Sequence, residues 1–465
     1  MSNKLNDINE IPWQVKRFNE LINQEQSIYF DVDDFEEIID HYVITGDYLK
    51  AQQISGYALK VHPGSVPLML RGAQLLASTN KEERALDILK DIEALEPDNS
   101  DVFLTKGAIY SQLRHYEKAI EEFNKAISNA DEPDYIYCNI AFEYENMGNF
   151  DKTLEYLTKA LDLNPENDLA IYEAAYCFDL LSLTEESISF FSKLIDRHPY
   201  SVEAWFNLGV SYINAELYEK ACESFDFAIA IEPDHTPTWF HLGYALSLNE
   251  KFSEAIEAYK KSLENDEGDA MKYYYIGECY EKSEDYVNAR IYYKKATGLQ
   301  VDIPDAWIGM GVCEHELGNQ KKALDYLNKG VDLDPDNTGY LCIIADIHMA
   351  QDNIEEGAAF FQKAIESSPE EETVRIDYAD AMAEKKELEE SVNIRQSALN
   401  KFSNNAVLYY RMAAYLYLLS KSKEASYFFE EALMMDFEKH NSVFDQFPEL
   451  KTNPDILMLI DMYAK

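Results

Sequence analysis

Seven prolines, Pro63, Pro97, Pro165, Pro199, Pro233, Pro335 and Pro369, stand in this 465-residue chain at separations that are multiples of 34. With each proline taken as position 32 of a unit, twelve contiguous units run from Val32 to Lys439 without an inserted or deleted residue. A period of this size means that every unit is one supersecondary piece, too small to bury its apolar face alone, which gains stability by stacking on its neighbours. The register is tested at positions that did not define it. Position 20 holds Ala51, Ala85, Ala119, Thr153, Ser187, Ala221, Ala255, Ala289, Ala323, Gly357, Ser391 and Ala425, all small. Position 8 holds Ala or Gly in every unit except the first, which has Ile39. Two helices that cross closely need small residues on both sides of the contact, so the pattern predicts a helical hairpin in each unit.

Unit six reads Trp205, Leu208, Gly209, Tyr212, Ala221, Phe225, Ala228 and Pro233, and unit seven repeats Trp239, Leu242, Gly243, Ala255 and Tyr259. These residues resemble the tetratricopeptide repeat, Trp-x2-Leu-Gly-x2-Tyr followed by Ala-x3-Phe and Pro. The resemblance covers about nine tenths of the chain and implies an all-α fold, an α-solenoid in which antiparallel helix pairs wind into a right-handed superhelix. Units two, five, ten and eleven depart most, with Met69, Ile171, Leu341 and Arg375 where aromatic anchors are usual, and are expected to be less regular.

Solenoids need covered ends. Residues 1–31 are read as an N-terminal segment with a capping helix, carried by Trp13, Val15, Phe18, Leu21 and Ile22 at helical spacing. Residues 32–439 are the twelve repeats. Residues 440–465 are read as a C-terminal capping helix, started by Asn453 and Pro454 and packed through Ile456, Leu457, Leu459, Ile460 and Tyr463.

Charge restricts the partners. With 86 Asp and Glu against 41 Lys and Arg the formal net charge is -45, which repels phosphate backbones and anionic lipid surfaces. Nucleic acid is therefore not an expected partner, and no stretch is apolar enough to insert in a membrane. Between Tyr340 and Glu390, 14 acids face 4 bases, a region suited to a basic ligand. The six cysteines form no CxxC pair and are read as buried small hydrophobes. With no apolar export signal between Met1 and Trp13, a cytoplasmic location is expected, and charge on the exposed helix faces is expected to keep the chain soluble and monomeric.

In the family that the repeats resemble, the first helices line a concave groove, and positions 2, 5, 9, 12 and 13 meet the ligand. Units four to eight place Tyr135, Phe142, Tyr172, Tyr176, Phe206, Phe240, Tyr244 and Tyr274 there. Asn139 and Asn207 resemble asparagines with which relatives hold a peptide backbone. Because Tyr137, Tyr144, Trp205, Tyr212, Trp239 and Tyr273 fill other columns, the eight groove rings are read as additional to the core, and removing Phe206, Phe240 and Tyr244 is expected to spare the fold. The carboxylate clamp of chaperone-binding relatives, a Lys at position 5 with an Asn at position 9, is absent.

Catalysis, cofactors and metals find no support. No histidines fall at HxxxH spacing, and no phosphate loop or nucleophile elbow occurs; His315 between Glu314 and Glu316 is the one weak acid/base candidate. The expected function is a non-catalytic scaffold or adaptor that binds an extended peptide or partner protein in the groove of repeats 4–8. Two alternatives stand beside it: an acidic chaperone for basic clients, and a permanent non-catalytic subunit of a larger enzyme or secretion assembly.

Overall fold

The computed structural model describes residues 12–23, 29–264, 268–402 and 405–464. Among them every regular element is a helix. The first helices of the repeats begin at Val32, Val66, Ser100, Pro133, Asp168, Val202, Thr236, Ala270, Pro304, Thr338, Glu372 and Ala406, and a second helix follows each after a short turn. By contacts the chain divides into two compact units, Met1–Asp234 and His235–Lys465, the break falling at the end of repeat six.

All twelve residues at position 20 are buried. The Gly/Ala column at position 8 has a physical cause in the same hairpin, the side chain at position 24. A Cβ on Gly107 would lie 2.4 Å from the Phe123 ring, on Gly209 2.5 Å from Phe225, on Gly243 2.8 Å from Tyr259 and on Gly277 2.7 Å from Tyr293. In these four repeats the ring at position 24 occupies the space that a Cβ at position 8 would need, while repeats five, ten and twelve fit Ala175, Ala345 and Ala413 beside Phe191, Phe361 and Phe429, so the ring limits position 8 to a small residue. Repeat one exchanges the volumes: Ile39, the large exception at position 8, is fully buried, and position 24 of that hairpin is Ser55.

The turn between helices is as periodic as the core. Position 15 has positive φ in all twelve repeats, yet only Gly46, Gly148 and Gly318 are glycines. The other nine, Arg114 (φ 58°) and Glu216 (φ 59°) among them, adopt the left-handed region with a Cβ. Their backbones close the first helix in the same way each time. Arg114 N–H donates to the Ser111 carbonyl at 2.8 Å and His115 N–H to the Tyr110 carbonyl at 2.8 Å, the paired bonds that satisfy helix-terminal carbonyls.

Among the aromatics at positions 4 and 11, Phe35, Tyr42, Phe103 and Phe178 are buried, whereas the tryptophans Trp205 and Trp307 lie outside the deep core. Trp205 stacks on Phe227 at 4.5 Å, and Trp307 lies 5.8 Å from Tyr326, with Lys329 4.5 Å above the Trp307 ring. Lys159 sits 4.1 Å over Tyr156 in the same manner. Trp307, Tyr326 and Tyr156 are half-buried rings that each lie under a lysine, whereas Trp205 is covered by the exposed Phe227 ring.

Repeat eleven departs furthest. Its position 24 is Arg395, whose side chain is fully buried where other repeats carry Phe225, Phe361 or Phe429. The guanidinium pairs with Asp380, lies 4.5 Å over the Tyr415 ring, and leaves its Nε and one terminal nitrogen without a hydrogen-bond partner. Asp380 also takes Arg411 at 2.6 Å.

At the N-terminal end, helix Trp13–Asn23 buries Val15, Phe18 and Leu21 against Phe35, Ile38 and Ile39. Trp13, read from sequence as part of that face, is 62% exposed, while the Ile22 side chain and residues 24–28 lie outside the described residues. After repeat twelve come two helices rather than one, His440–Gln446 and Pro454–Tyr463. Val443, Phe444, Phe447, Leu450, Ile456 and Leu459 join the cluster of repeat twelve around Phe429. Asn453 caps the last helix by accepting from the Asp455 and Ile456 amides. Leu457, also read as packing, stays exposed.

Candidate functional site

Within the first unit, the first helices of repeats four to six are Pro133–Asn146, Asp168–Leu180 and Val202–Asn214. Each starts from a turn that fixes its rotation. Asn167 accepts a bond from the Ala170 amide at 2.9 Å and Ser201 from the Ala204 amide at 3.3 Å, while Pro133 occupies the first position of its helix. With Ile136, Ile140, Ala170, Ala174, Ala204 and Leu208 directed inward, positions 2 and 9 are turned away from the core, and position 5 lies at its margin: Cys138 is buried there in repeat four, Phe206 is half-buried in repeat six and Tyr172 is exposed in repeat five.

The ten residues singled out from sequence separate into two groups. Tyr135 (43% exposed), Phe142 (52%), Tyr172 (66%) and Tyr176 (45%) present their rings to solvent, and Asn139 is exposed among them. Phe206, Phe240, Tyr244 and Tyr274 are half-buried instead. Phe206 lies 5.9 Å from Phe225, and Phe240 lies 5.6 Å from Tyr259 and 5.5 Å from Tyr275. Tyr244 packs edge-on against Tyr275 at 6.0 Å, and Tyr274 lies 5.7 Å from Tyr293. The expectation that all eight rings stand outside the packing therefore does not hold for these four, because the aromatic at position 24, or at position 6 of the next repeat, captures them. Asn207 also has a local role: its Nδ2 donates to the Glu203 carbonyl at 2.8 Å, leaving part of the amide for other partners.

Two open cavities lie on the first-helix face of this unit. One, of about 590 Å³, is bordered by Tyr172, Tyr176, Phe206, Asn207 and Asp179, so four residues predicted from three different sequence columns meet around one hollow. The other, of about 600 Å³, is bordered by Gln74, Thr105, Ser111, Asn139, Phe142 and Glu143. Phe240, Tyr244 and Tyr274 belong to the second unit and form a ring cluster of their own with Tyr259, Tyr275 and Tyr293.

Electrostatically the face of repeats four and five is acidic. Burial raises the pKa of Glu143, Glu145 and Glu173, with the Ser111 hydroxyl acting against it at Glu143 and the like charge of Glu145 adding to it at Glu173. No described lysine or arginine offsets these shifts. Sequence reasoning missed Glu143 because it stands at position 10, a column otherwise of small, apolar or aromatic residues apart from His41 and so read as core. A single carboxylate in such a column was the available signal.

A facing pair of positions, 9 in one repeat and 6 in the next, links successive first helices. It holds Asp40 with Arg71 at 2.7 Å and Asp380 with Arg411 at 2.6 Å. In the second unit one rung is two carboxylates, Asp346 and Asp377. Loss of hydration, then the like charges of Asp377 and Glu384, push Asp346 up to about 6.

The chemistry is that of a surface rather than a reaction centre. Burial pushes the thiols of Cys138, Cys177, Cys279, Cys313 and Cys342 up to about 12, which keeps them protonated. Glu314 is buried and turned to Arg290 (3.1 Å) and Asn319 (2.7 Å), and His315 bonds Gln320 at 3.0 Å, so that sequence neighbourhood does not assemble an acid/base pair. Among the described residues no three His, Cys, Asp or Glu gather in a metal-binding arrangement, and no helix is long and apolar enough to cross a membrane.

Family models described as tetratricopeptide repeat match residues 100–132, 135–167, 202–235, 240–300, 304–337 and 338–371. Repeats two, five and eleven, flagged as divergent, are not matched; repeat ten, flagged with them, is, and the end repeats one and twelve are not. No curated protein matches. Among solved structures the chain is similar to YrrB, a tetratricopeptide repeat protein with an unusual peptide-binding site (23% identity, 40% of this chain and 97% of that one, TM-score 0.36). It is also similar to the APC/C hetero-tetramer Cut9-Hcn1 (14% identity, 98% and 99%, TM-score 0.40) and to MamA (19% identity, 43% and 98%, TM-score 0.31). The matched fold is typically a non-catalytic protein-interaction scaffold, and none of the matched models describes an enzyme. The chain is a tetratricopeptide repeat protein, an all-α solenoid of stacked helical hairpins.

Proposed function

We propose that this protein is a non-catalytic adaptor that holds an extended segment of a partner protein on the first-helix face of repeats four to six. The observation that carries this reading is the set of four large rings, Tyr135, Phe142, Tyr172 and Tyr176, left in solvent on the first helices of two successive repeats, three of them, Phe142, Tyr172 and Tyr176, bordering the two cavities. Aromatic rings left about half in solvent gain only part of the burial open to them in the unbound fold, whereas rigid rings give large contact area to a ligand at low entropic cost. The original span of repeats four to eight is narrowed, since Phe240, Tyr244 and Tyr274 spend much of their surface on ring packing inside the second unit. The net charge of -45 favours a basic partner. Cys138, Cys177, Cys279, Cys313 and Cys342, none of them in a disulfide, support a reducing compartment such as the cytoplasm.

The test is affinity capture from the source cell's lysate, at low and high salt, with wild type and a variant in which Tyr135, Phe142, Tyr172 and Tyr176 are replaced by Ala. Because these rings are exposed, the variant is expected to keep its circular dichroism spectrum and melting midpoint. Partners retained in high salt by wild type and lost from the variant support the adaptor. Many basic proteins bound by both and released by salt support the acidic chaperone, which the Asp346/Asp377 rung favours. A partner that co-purifies at fixed stoichiometry supports a permanent subunit.

A further inference from the structure

Glu143 is a carboxylate with 1% of its surface exposed, yet its Oε2 has no hydrogen-bond partner. Its other interaction is with the neutral Ser111 hydroxyl. A buried carboxylate ordinarily has a cation or several donors, because leaving one unpaired is among the costlier arrangements in a folded chain. Two cations on the first helices of repeats two and three are engaged elsewhere. Arg71 is held by Asp40 and the Gln74 side chain, and Lys106 by Glu93.

Glu143 also borders the cavity of about 600 Å³ on the first-helix face of repeats two to four. The walls supply what a cationic side chain needs besides the charge. Gln74, Thr105, Ser111 and Asn139 offer oxygen acceptors, and the half-exposed Phe142 ring offers a face for a guanidinium or an aliphatic stem. We propose that this cavity is a pocket for one arginine or lysine side chain of the bound segment, with the Glu143 carboxylate as its counter-ion and Phe142 as its stacking surface. The inference rests on the peptide-binding reading and adds to it a ligand chemistry and a place in repeats two to four. Burial of Glu143 raises its pKa in the free protein, as expected of a carboxylate whose cation arrives with the ligand.

The experiment pans a phage-displayed library of random 12-residue peptides on the full chain, on Glu143→Gln, and on the four-ring Ala variant. Peptides enriched on wild type are expected to carry Arg or Lys at one fixed place in their alignment. Glu143→Gln is expected to lose that preference and to bind the wild-type-selected peptide about 30-fold or more weakly. The free Glu143→Gln protein is expected to melt at a higher temperature, since the change removes an unpaired buried charge; a residue with a merely structural role would not raise the midpoint while weakening binding. Enriched peptides with no fixed basic residue, or a basic preference that survives Glu143→Gln, overturn the pocket and leave the peptide-binding reading standing. No enrichment on wild type overturns both.

Discussion

One substitution made at two places tests whether the position 8 column is set by the ring at position 24. Gly209 and Gly56 both lie inside helices of the first unit. An added Cβ at Gly209 would fall 2.5, 2.7 and 2.8 Å from three atoms of the Phe225 ring, which is fully buried. Carbon atoms prefer about 3.5 to 4.0 Å, so the ring must retreat by about 1 Å into a packed hairpin. Overpacking of this kind costs about 1 to 3 kcal/mol, against which better helix propensity returns about 1 kcal/mol. Gly209→Ala is therefore expected to destabilise by about 0 to 2 kcal/mol. At Gly56 a Cβ meets nothing within 4 Å, and Gly56→Ala is expected to stabilise by the full propensity gain of about 1 kcal/mol. Since repeat arrays open locally, the readout is native-state hydrogen exchange of helices Val202–Asn214 and Tyr48–Val61, beside urea unfolding followed by circular dichroism. Equal stabilisation at both positions would refute the ring as the cause of the small-residue column.

Asp380→Ala is expected to cost about 3 kcal/mol or more in the second unit, because it leaves the fully buried Arg395 guanidinium without its counter-ion; a shift in urea midpoint below 1 kcal/mol would contradict the pairing. Arg395→Phe, which restores the ring found in other repeats and leaves Asp380 to Arg411, is expected to be near neutral in the same assay. The Asp346/Asp377 rung gives a pH dependence. The folded pKa of Asp346, about 6, lies above its unfolded value, so the ionised group destabilises the fold above pH 6 and the penalty is relieved as pH falls through 6 toward 4; Asp346→Asn should remove that gain from melts between pH 7 and 5. Glu216→Gly, at a turn with φ of 59°, is expected to stabilise by up to about 1 kcal/mol, and a loss of stability on calorimetry would show that the side chain outweighs the strain.

The hairpins were legible because their cause is local volume. Small residues at positions 8 and 20 recur at every helix crossing, and the exception, Ile39, is balanced by Ser55 at position 24. The left-handed turn at position 15 was not legible, since backbone hydrogen bonds impose it and only three of the twelve residues are glycines. The candidate site was half legible. A column identifies which face a ring occupies but not whether a neighbour takes it up: Tyr172 and Phe206 share position 5, yet Tyr172 is in solvent and Phe206 rests on Phe225. Glu143 was missed because burial at position 10 reads as core, and only its unpaired oxygen beside a cavity distinguishes it.

Hydroxyl-radical footprinting of side chains with and without a saturating bound peptide tests the central claim most directly. The account predicts that Tyr135, Phe142, Tyr172 and Tyr176 lose reactivity on binding, while Tyr29 and Tyr200, 72% and 83% exposed and outside the proposed face, keep theirs. Unchanged reactivity of the four rings, with protection appearing on outer residues such as Phe227 and Tyr427, would contradict it.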